Sequence, residues 1–343
     1  MKIGIVGLGY WGPNLIRNFL EQNEIEKIIG CDLNENRLKL MKAKFPPIET
    51  TNDFNNLLNA DIDAIVIATP VGLHYKLAKE ALLIGKHVWV EKPFTSKSEQ
   101  AIELIDIAES RGLNIFVDHT FIYTGAVKKI KEIVDSGELG DIIYYDSVRV
   151  NLGLFQQDVN VTWDLAPHDL SIMNYLLKDH KVIAVKADGA ATYYNHENIA
   201  HISVLFENES CFAHFHVNWT SPVKIRKTIV AGNKKMLIYD DMENSEKIKV
   251  YDCGVEFFKT EDPDNARIQY RVGDMYSPKI LQTEALSLAA KEFICSIKEK
   301  RHPLTNGREG LGVVKILEAA DKSIKNRGIL VEIESAINQK VLV

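Results

Sequence analysis

The stretch "MKIGIVGLGYWG" at residues 1–12 decides the fold class, because a short apolar strand runs directly into a glycine-rich turn. Gly7, Gly9 and Gly12 form the pattern G-x-G-x-x-G ahead of a helical pattern, "PNLIRNFLEQN". In such a turn the first glycine permits the tight bend and the second lets a pyrophosphate approach the backbone. The third lets helix and strand pack closely. Asp32 follows Gly12 by 20 residues, at the end of the second predicted strand, where a ribose-binding carboxylate is expected.

The first 120 residues continue this alternation of strands and helices. Helical patterns separate the later predicted strands, which are "IEKIIGCD", "IDAIVIATP", "HVWVEKP" and "LNIFVDH". Continuous apolar strands separated by amphipathic helices are typical of a parallel sheet that is covered on both faces. We therefore predict an α/β protein whose N-terminal domain, residues 1–120, is a doubly wound Rossmann sheet.

After Thr120 the apolar residues alternate with period two, as in "IIYYDSVRVNL" and "SCFAHFHVNW". This pattern is typical of strands with one wetted face, so it predicts a large open mixed or antiparallel sheet. Helical patterns occur at "AVKKIKEIVDSG", "WDLAPHDLSIMNYLL" and twice near the end of the chain. We predict a second α/β domain over residues 121–343, joined tightly to the first because no flexible linker is present.

The composition narrows the range of partners. A net charge of −6 argues weakly against nucleic acid as the main partner, and no run of 18 apolar residues suggests a membrane span. The four cysteines lack metal-finger spacing, so no metal site is predicted and reduced thiols in the cytoplasm are the simplest interpretation.

The acidic residue after the second strand bears on the choice of cofactor. Asp32 would accept hydrogen bonds from the ribose hydroxyls of adenosine and repel a 2′-phosphate, which favours NAD over NADP. Arg37, five residues further on, keeps NADP as a less favoured alternative. Tyr10 and Trp11, inside the turn, are predicted to shield the cofactor or pack under it, and Trp11 fits a plain core residue about equally well.

Two further groups of residues are candidates for a catalytic or binding role. In "VWVEKPFTS" at residues 88–96, Lys92 follows a buried strand, and "ATP" at residues 68–70 ends another; the carboxyl ends of parallel strands face the ligand crevice. An exposed loop lysine is the plainer alternative. In the helix "TWDLAPHDLSIMNYLL" we place Asp164 near the N-cap and Pro167 in the first turn. Asp164 and His168 then lie on one face, although a capping aspartate and a partly buried structural histidine would give the same pattern.

The chain resembles the glucose-fructose oxidoreductase and inositol dehydrogenase family of NAD(P)-dependent sugar oxidoreductases. The segments "GIVGLGYWG", "ATPVGLHY", "EKPF", "DLAPHD" and "RHPLTNGREGLGVVKILEAADKS" match in order over nearly the whole chain. The resemblance implies a C-terminal domain that binds substrate and whose open sheet supports homodimers or homotetramers. It implies a cis peptide before Pro93 and that Lys92, Asp164 and His168 meet over the nicotinamide. It also implies that the following residues line the cofactor cleft: Thr69, Pro70, His74, Glu91, Lys92 and Pro93.

The chain departs from the family pattern in the substrate region. It has Trp163 and Pro167 around the aspartate where the family often has glycines, and "DHTFIYTGA" lacks an arginine that several members carry. We list Tyr123 and Trp163, with Lys92, Asp164 and His168, as substrate-binding candidates. Chains with "WDLAPHD" look closest to members that act on nucleotide-linked sugars.

The resulting hypothesis is reversible oxidation of a sugar ring hydroxyl. His168 is the candidate base, Asp164 fixes its tautomer or contacts the sugar, and Lys92 stabilises the developing alkoxide. A deprotonated Lys92 or Tyr123 is the alternative base. The alternative functions are a dehydrogenase of free sugars, inositols or polyols, a dihydrodiol or biliverdin-type reductase, and a non-catalytic regulator that binds NAD.

Overall fold

The computed structural model describes residues 1–333 except 154, 194, 209 and 259–266. The chain divides into two compact units. The first comprises Met1–Thr124 and Thr283–Lys315, and the second comprises Gly125–Gln282 and the chain from Ile316 onward. The sequence-based division at residues 120 and 121 differs from this one, because the segment Thr283–Lys315 returns to the first unit.

The first unit is built on a six-stranded parallel sheet in the order β3-β2-β1-β4-β5-β6. Its strands are β1 (Lys2–Val6), β2 (Lys27–Cys31), β3 (Glu49–Thr51), β4 (Ala64–Ile67), β5 (His87–Glu91) and β6 (Ile115–Asp118). The helices between them are α1 (Gly12–Leu20), α2 (Glu35–Lys44), α3 (Phe54–Leu58), α4 (Val71–Leu83) and α5 (Ser98–Arg111), and a 3₁₀ turn follows at Thr120–Tyr123. The strand order reverses between β1 and β4, which makes the carboxyl ends of these strands the expected ligand crevice.

An aromatic cluster holds β5 and β6 in place. Trp89 on β5 stacks on Phe116 of β6 with ring centroids 4.1 Å apart. Phe19 of α1 and Phe293 pack edge-on against Trp89, and all four side chains are fully buried. Since fully burying one such side chain contributes roughly 1.5–3 kcal/mol, this cluster fixes the strands whose ends carry Lys92 and the residues around it.

The second unit is built on one nine-stranded mixed sheet in the order β14-β13-β12-β11-β7-β10-β9-β8-β15. Only the pair β7 and β10 is parallel among its described ladders. The strands are β7 (Ile142–Leu152), β8 (Val182–Ala190), β9 (Ile199–Phe206), β10 (Phe212–Asn218), β11 (Thr220–Gly232), β12 (Met236–Asp240), β13 (Ile248–Phe258), β14 (Arg267–Tyr276) and β15 (Val331–Glu332). Helices α6 (Gly125–Asp135) and α7 (Val161–Leu176) precede and follow β7, and α7 packs on β7, β9 and β10.

Two more helices complete the chain. Helix α8 (Ala285–Lys298) belongs to the first unit, and the division between the units falls within α9 (Gly307–Lys325). Among the described residues, no helix is long and apolar enough to cross a membrane.

The predicted fold class is confirmed, with a parallel Rossmann sheet followed by a large mixed sheet. The sequence patterns missed β3 and α3, which are only three and five residues long, and they missed β14.

Candidate active site

The glycine-rich turn between β1 and α1 has the shape that a dinucleotide needs. Gly7 has φ +91°, and a Cβ there would lie 2.4 Å from the carbonyl oxygen of Ala68, so only glycine fits. A Cβ on Gly12 would lie 2.9 Å from the carbonyl oxygen of Gly7. At Gly9, by contrast, the nearest atom to a Cβ is the Arg37 guanidinium at 3.9 Å, so a side chain would occupy open space that a pyrophosphate can use.

Helix α1 begins at this turn without a side-chain cap. Its N-cap residue is Trp11, whose side chain makes no capping hydrogen bond. The N-terminus of α1 thus has no side-chain cap from Trp11, and the helix dipole favours an anion there. Tyr10 and Trp11 are 84% and 46% exposed, so the interpretation of Trp11 as a core residue is wrong. Their predicted role in shielding a cofactor stays a prediction.

Asp32 lies directly after β2, and both of its oxygens accept backbone hydrogen bonds. Oδ2 accepts from the Leu8 N–H at 2.8 Å, and Oδ1 accepts from the Asn34 N–H at 2.8 Å. The Asn34 side chain in turn caps α2, which places Arg37 with its guanidinium 3.5 Å from Asp32 Oδ2. Asp32 is 8% exposed and held rigidly beside the glycine turn, so turn and carboxylate together fit the adenosine and pyrophosphate of a nicotinamide dinucleotide.

His74 connects the ends of β4 and β5. Its Nε2 lies 2.7 Å from the Thr69 carbonyl oxygen, and its Nδ1 lies 2.9 Å from the Pro93 carbonyl oxygen. Burial lowers the pKa of His74, which is 1% exposed. Through these two contacts, His74 holds the loop at Thr69 and the loop at Pro93 together. Pro70 is exposed at the surface of the first loop. The Lys92–Pro93 peptide is cis, as the resemblance implies.

Lys92 directly follows Glu91, one of two buried carboxyl groups at this edge of the sheet. Glu91 ends β5 and Asp118 ends β6, and the two residues are paired across the parallel strands. Burial raises the pKa of Glu91 well above its ordinary value, and the charge of Asp118 adds to this effect. Burial also raises the pKa of Asp118, to about 6, while the positive charge of Lys92 opposes both shifts.

His119 adds a neutral imidazole to the same edge of the sheet. It is 1% exposed, and neither ring nitrogen has a hydrogen-bond partner among the described residues. Burial and then the charge of Lys92 lower the pKa of His119 to about 3. The sequence analysis did not select Asp118 or His119, although their position after an apolar strand, next to the end of β5, is the signal that could have identified them.

Helix α7 carries the predicted acid and base of the second unit. Asn160 is its N-cap, and the Asn160 side chain accepts a hydrogen bond from the Trp163 N–H. Asp164 is therefore the fourth helical residue, and Pro167 lies inside the helix, not in its first turn as predicted. Asp164 and His168 are half-buried on one face, as the i, i+4 spacing predicts.

Three contacts within the second unit orient this face. The Trp219 indole N–H donates to Asp164 Oδ2 at 3.0 Å. Asp169, next to His168, forms a bidentate buried ion pair with Arg149 of β7 at 2.7 and 2.9 Å. Because a planar guanidinium fixes the geometry of its carboxylate, this pair sets the rotation of α7 on the sheet.

Two predicted substrate ligands, Trp163 and Tyr123, are buried and hydrogen-bonded within the protein. Trp163 is 8% exposed, and its indole N–H donates to Asp321 at 2.8 Å, so it anchors the start of α7. Tyr123 is 2% exposed, and its hydroxyl lies 3.1 Å from the Thr305 hydroxyl. Burial also raises the pKa of Tyr123, which argues against its use as a base. Both side chains thus have structural contacts, and their predicted binding of a substrate stays a prediction.

The first unit thus brings together Gly7, Gly9, Gly12, Asp32 and Arg37 at one end of its sheet. It brings together Thr69, His74, Glu91, Lys92 and Pro93 at the ends of β4 and β5. Asp164 and His168 lie in the second unit. Their meeting with Lys92 over a nicotinamide stays a prediction.

Comparisons with known proteins show the family. Residues 1–119 match the model of the oxidoreductase family with an NAD-binding Rossmann fold. Residues 127–238 match the GFO/IDH/MocA C-terminal domain. The chain belongs to the GFO/IDH/MocA family of oxidoreductases, and its first unit is an NAD(P)-binding Rossmann domain.

Two curated relatives and one solved structure illustrate the similarity. A 1-carboxy-3-chloro-3,4-dihydroxycyclohexa-1,5-diene dehydrogenase from Comamonas testosteroni is 28% identical over 54% of this chain and 50% of its own length. A scyllo-inositol 2-dehydrogenase (NADP(+)) from Bacillus subtilis (strain 168) is 29% identical over 48% of this chain and 44% of its own. The chain therefore matches about half the length of these relatives. A UDP-N-acetylglucosamine 3-dehydrogenase from Acidithiobacillus ferrooxidans shares the fold, with TM-score 0.77, 21% identity and coverage of 95% and 98% of the two chains.

Proposed function

We propose that this chain is an NAD-dependent oxidoreductase acting on a ring hydroxyl or ketone of a sugar, and that the sugar is nucleotide-linked. The observation that supports the proposal most directly is that candidate cofactor-binding and catalytic residues lie along one edge of the sheet. The glycine turn, Asp32 and Lys92 follow β1, β2 and β5, so a ribose-binding carboxylate and a candidate catalytic lysine stand at the carboxyl ends of one parallel sheet.

The choice of NAD rests on Asp32. Its carboxylate is held in place by two backbone N–H groups beside the turn, where it can accept from ribose hydroxyls and repel a 2′-phosphate. Arg37 is the residue that would bind a 2′-phosphate, and its guanidinium is engaged with Asp32 at 3.5 Å.

Each reacting residue has a defined task. NAD, when bound, supplies the hydride acceptor. His168 accepts the proton of the sugar hydroxyl, and Lys92 places a positive charge beside the developing oxyanion. Asp164, held by the indole N–H of Trp219, orients His168 or a sugar hydroxyl. For ketone reduction the same residues act in reverse, with His168 returning the proton.

The nucleotide-linked substrate is supported by an aromatic surface beside Asp164. Trp219, the partner of Asp164, packs on Phe155 with ring centroids 5.5 Å apart. Phe155 meets Tyr193 at 6.5 Å, and these two side chains are 38% and 73% exposed. Exposed rings next to a catalytic carboxylate provide a stacking surface for a nucleobase. The fold neighbour from Acidithiobacillus ferrooxidans, which is named for a UDP-sugar, supports the proposal.

The scyllo-inositol dehydrogenase relative favours a second candidate, oxidation of free sugars or inositols with NADP. A non-catalytic regulator is the third, but a sensor of NAD needs neither Lys92 nor the Asp164 and His168 pair. We also propose a cytoplasmic homodimer or homotetramer. The four cysteines are free, which fits a reducing compartment.

The test is a screen of NAD and NADP with nucleotide-linked sugars, free sugars and inositols, following NADH absorbance. We expect turnover with a nucleotide-linked sugar and NAD, lost in Lys92→Ala. Lys97→Ala, at an exposed lysine five residues away, is the matched control and should retain it. Turnover of inositols alone would replace the substrate proposal, and NAD binding without turnover of any sugar would favour the regulator.

A further inference from the structure

Strand β14 is the longest sheet edge in the described part of the chain. It has ten residues (Arg267–Tyr276), and its ladder partner among the described strands is β13. The other edge strands, β3, β6 and β15, have three, four and two residues. Natural proteins shorten an edge strand, or block it with lysine, proline or a bulge, because its unpaired N–H and C=O groups can pair with a second strand. β14 contains neither lysine nor proline, and its bulge lies beyond Val272, so the stretch from Arg267 to Val272 is a regular edge.

This stretch belongs to a two-stranded arm. β12 pairs only with Ile248–Tyr251 of β13, whereas β13 continues along β14 as far as Phe258. One face of the arm is polar, since Arg271 donates to Asp252 at 2.9 Å and to Glu256 at 2.7 Å. A two-stranded hairpin by itself is marginally stable in water, and further strands stabilise it. The arm would therefore gain stability from another strand along β14.

The other face of the arm is apolar and exposed. Val255 lies opposite Tyr270 in the ladder, and the two side chains are 44% and 75% exposed. Ile268 and Val272, two residues to either side of Tyr270, are 50% and 84% exposed. Because side chains two residues apart project from the same face of a strand, these four form one apolar surface at the open edge.

We propose that two copies of the chain pair their β14 strands antiparallel, about a two-fold axis at Tyr270. In this register Tyr270 lies opposite itself, and Ile268 lies opposite Val272 of the second copy, twice by symmetry. On the other face Gln269 lies opposite Arg271. Apolar cross-strand pairs of this kind stabilise a sheet. A register one residue further along places two Arg271 side chains opposite each other, and such like-charge pairs are destabilising.

The pairing closes on itself. Each copy uses the same strand, so the contact is isologous and ends at two chains. The other described edge strands have at most four residues and offer little for a third copy to pair with. This proposal rests on the homo-oligomer proposed above and assigns a surface to it. It does not depend on which substrate the protein uses.

Sedimentation velocity over a range of protein concentrations tests the dimer. Tyr270→Asp places two negative charges opposite each other at the axis and should raise the dimer dissociation constant at least about tenfold. Tyr193→Asp, at a tyrosine of the same unit that is 73% exposed, is the matched control and should leave this constant unchanged. A native protein that stays monomeric would refute both the oligomer and its surface. A native dimer that Tyr270→Asp does not weaken would refute the surface alone.

Oxidative crosslinking tests the register. The background is Cys253→Ser, because Cys253 is partly exposed on the same arm. Residues directly opposite each other in an antiparallel pair have Cα atoms about 4.5–5.5 Å apart, within the range of a disulfide. Tyr270→Cys should therefore give a disulfide-linked dimer on oxidation. Val255→Cys is the control, because its two copies would lie three strand spacings apart, about 14 Å, and should not crosslink. No disulfide in Tyr270→Cys, or an equal yield in both variants, would overturn the proposal.

Discussion

Replacing Asp32 by alanine is the most direct test of cofactor choice. The carboxylate is buried beside the glycine turn, with both oxygens fixed by backbone N–H groups. A 2′-phosphate carries more than one negative charge, and two unit charges about 4 Å apart near a protein surface repel by about 4 kcal/mol. Arg37, at 3.5 Å and half exposed, offsets part of this repulsion. We therefore expect the native protein to bind NAD at least about tenfold more tightly than NADP, about 1.4 kcal/mol.

The substitution Asp32→Ala has two effects on cofactor binding, one on the ratio of the affinities for NAD and NADP and one on the affinity for both. It removes the repulsion and the ribose hydrogen bonds, which alters the ratio of the two affinities. It also removes the anchors of the Leu8 and Asn34 N–H groups, which loosens the turn for both cofactors alike. Because this second effect cancels in the ratio, the ratio of dissociation constants is the quantity to compare, and it should fall in Asp32→Ala.

Fluorescence titration with NADH and NADPH supplies the dissociation constants. Arg37→Ala is the matched control, because it removes a cation beside Asp32 and should widen the preference for NADH. Equal dissociation constants in the native protein, or an unchanged ratio in Asp32→Ala, would refute the assignment of Asp32 as the ribose ligand.

Three further predictions concern chemistry and stability. Lys92→Ala should lower kcat by roughly 10²-fold or more and change the NAD dissociation constant by no more than a few-fold, because the charge acts mainly in the transition state. A near-normal kcat would show that Lys92 is a loop lysine without a catalytic role. The oxidation rate should rise with pH through one ionisation, and His168→Ala should remove that ionisation and lower kcat on the order of 10²–10⁴-fold. His168→Gln should keep much of the affinity for the sugar. If the alanine variant keeps the native pH profile, a different residue is the base. Burial raises the pKa of Glu91 above its ordinary value, so this carboxyl group holds its proton more tightly in the native protein than in the unfolded chain. Its contribution to stability is therefore present at low pH and is lost as pH rises above the ordinary range of glutamate. The free energy of unfolding should fall more steeply with rising pH in the native protein than in Glu91→Gln; parallel curves from denaturant titrations would contradict this.

Local patterns were sufficient to predict five of the six strands of the first sheet, all except the three-residue β3. The glycine spacing and the position of Asp32 depend only on residues that are close in the sequence, and a strand that is followed by a turn can adopt few alternative structures. Both features could therefore be predicted from the sequence. The same holds for the face shared by Asp164 and His168, which follows from helical spacing alone. The position of Pro167 was wrong because the helix begins at Val161, directly after the N-cap Asn160, whose side chain accepts a hydrogen bond from the Trp163 N–H.

Features that depend on distant contacts were not predictable. Trp163 and Tyr123 were selected as substrate-binding candidates because both lie near motif residues. Their polar atoms are hydrogen-bonded to Asp321 and Thr305, far along the chain, and these contacts could not be predicted from the sequence. Glu91 and Asp118 are separated in sequence and meet only because β5 and β6 are adjacent in register. A pattern within one strand contains no information about a neighbour's register, so the pairing of Glu91 with Asp118 could not be predicted, although the position of Asp118 and His119 after an apolar strand marked them as candidates.

The return of Thr283–Lys315 to the first unit has a consequence for how the protein is made. Trp89 and Phe116 are synthesised early, but the ring that completes their cluster, Phe293, belongs to this late segment. About 160 residues of the second unit are translated in between, which takes roughly 8–30 s at about 5–20 residues per second. During that interval a nascent Rossmann sheet exposes an aromatic face next to β5 and β6. A fragment ending at residue 124 would keep that face exposed permanently, so an expression clone of the nucleotide-binding half needs the late segment joined to it.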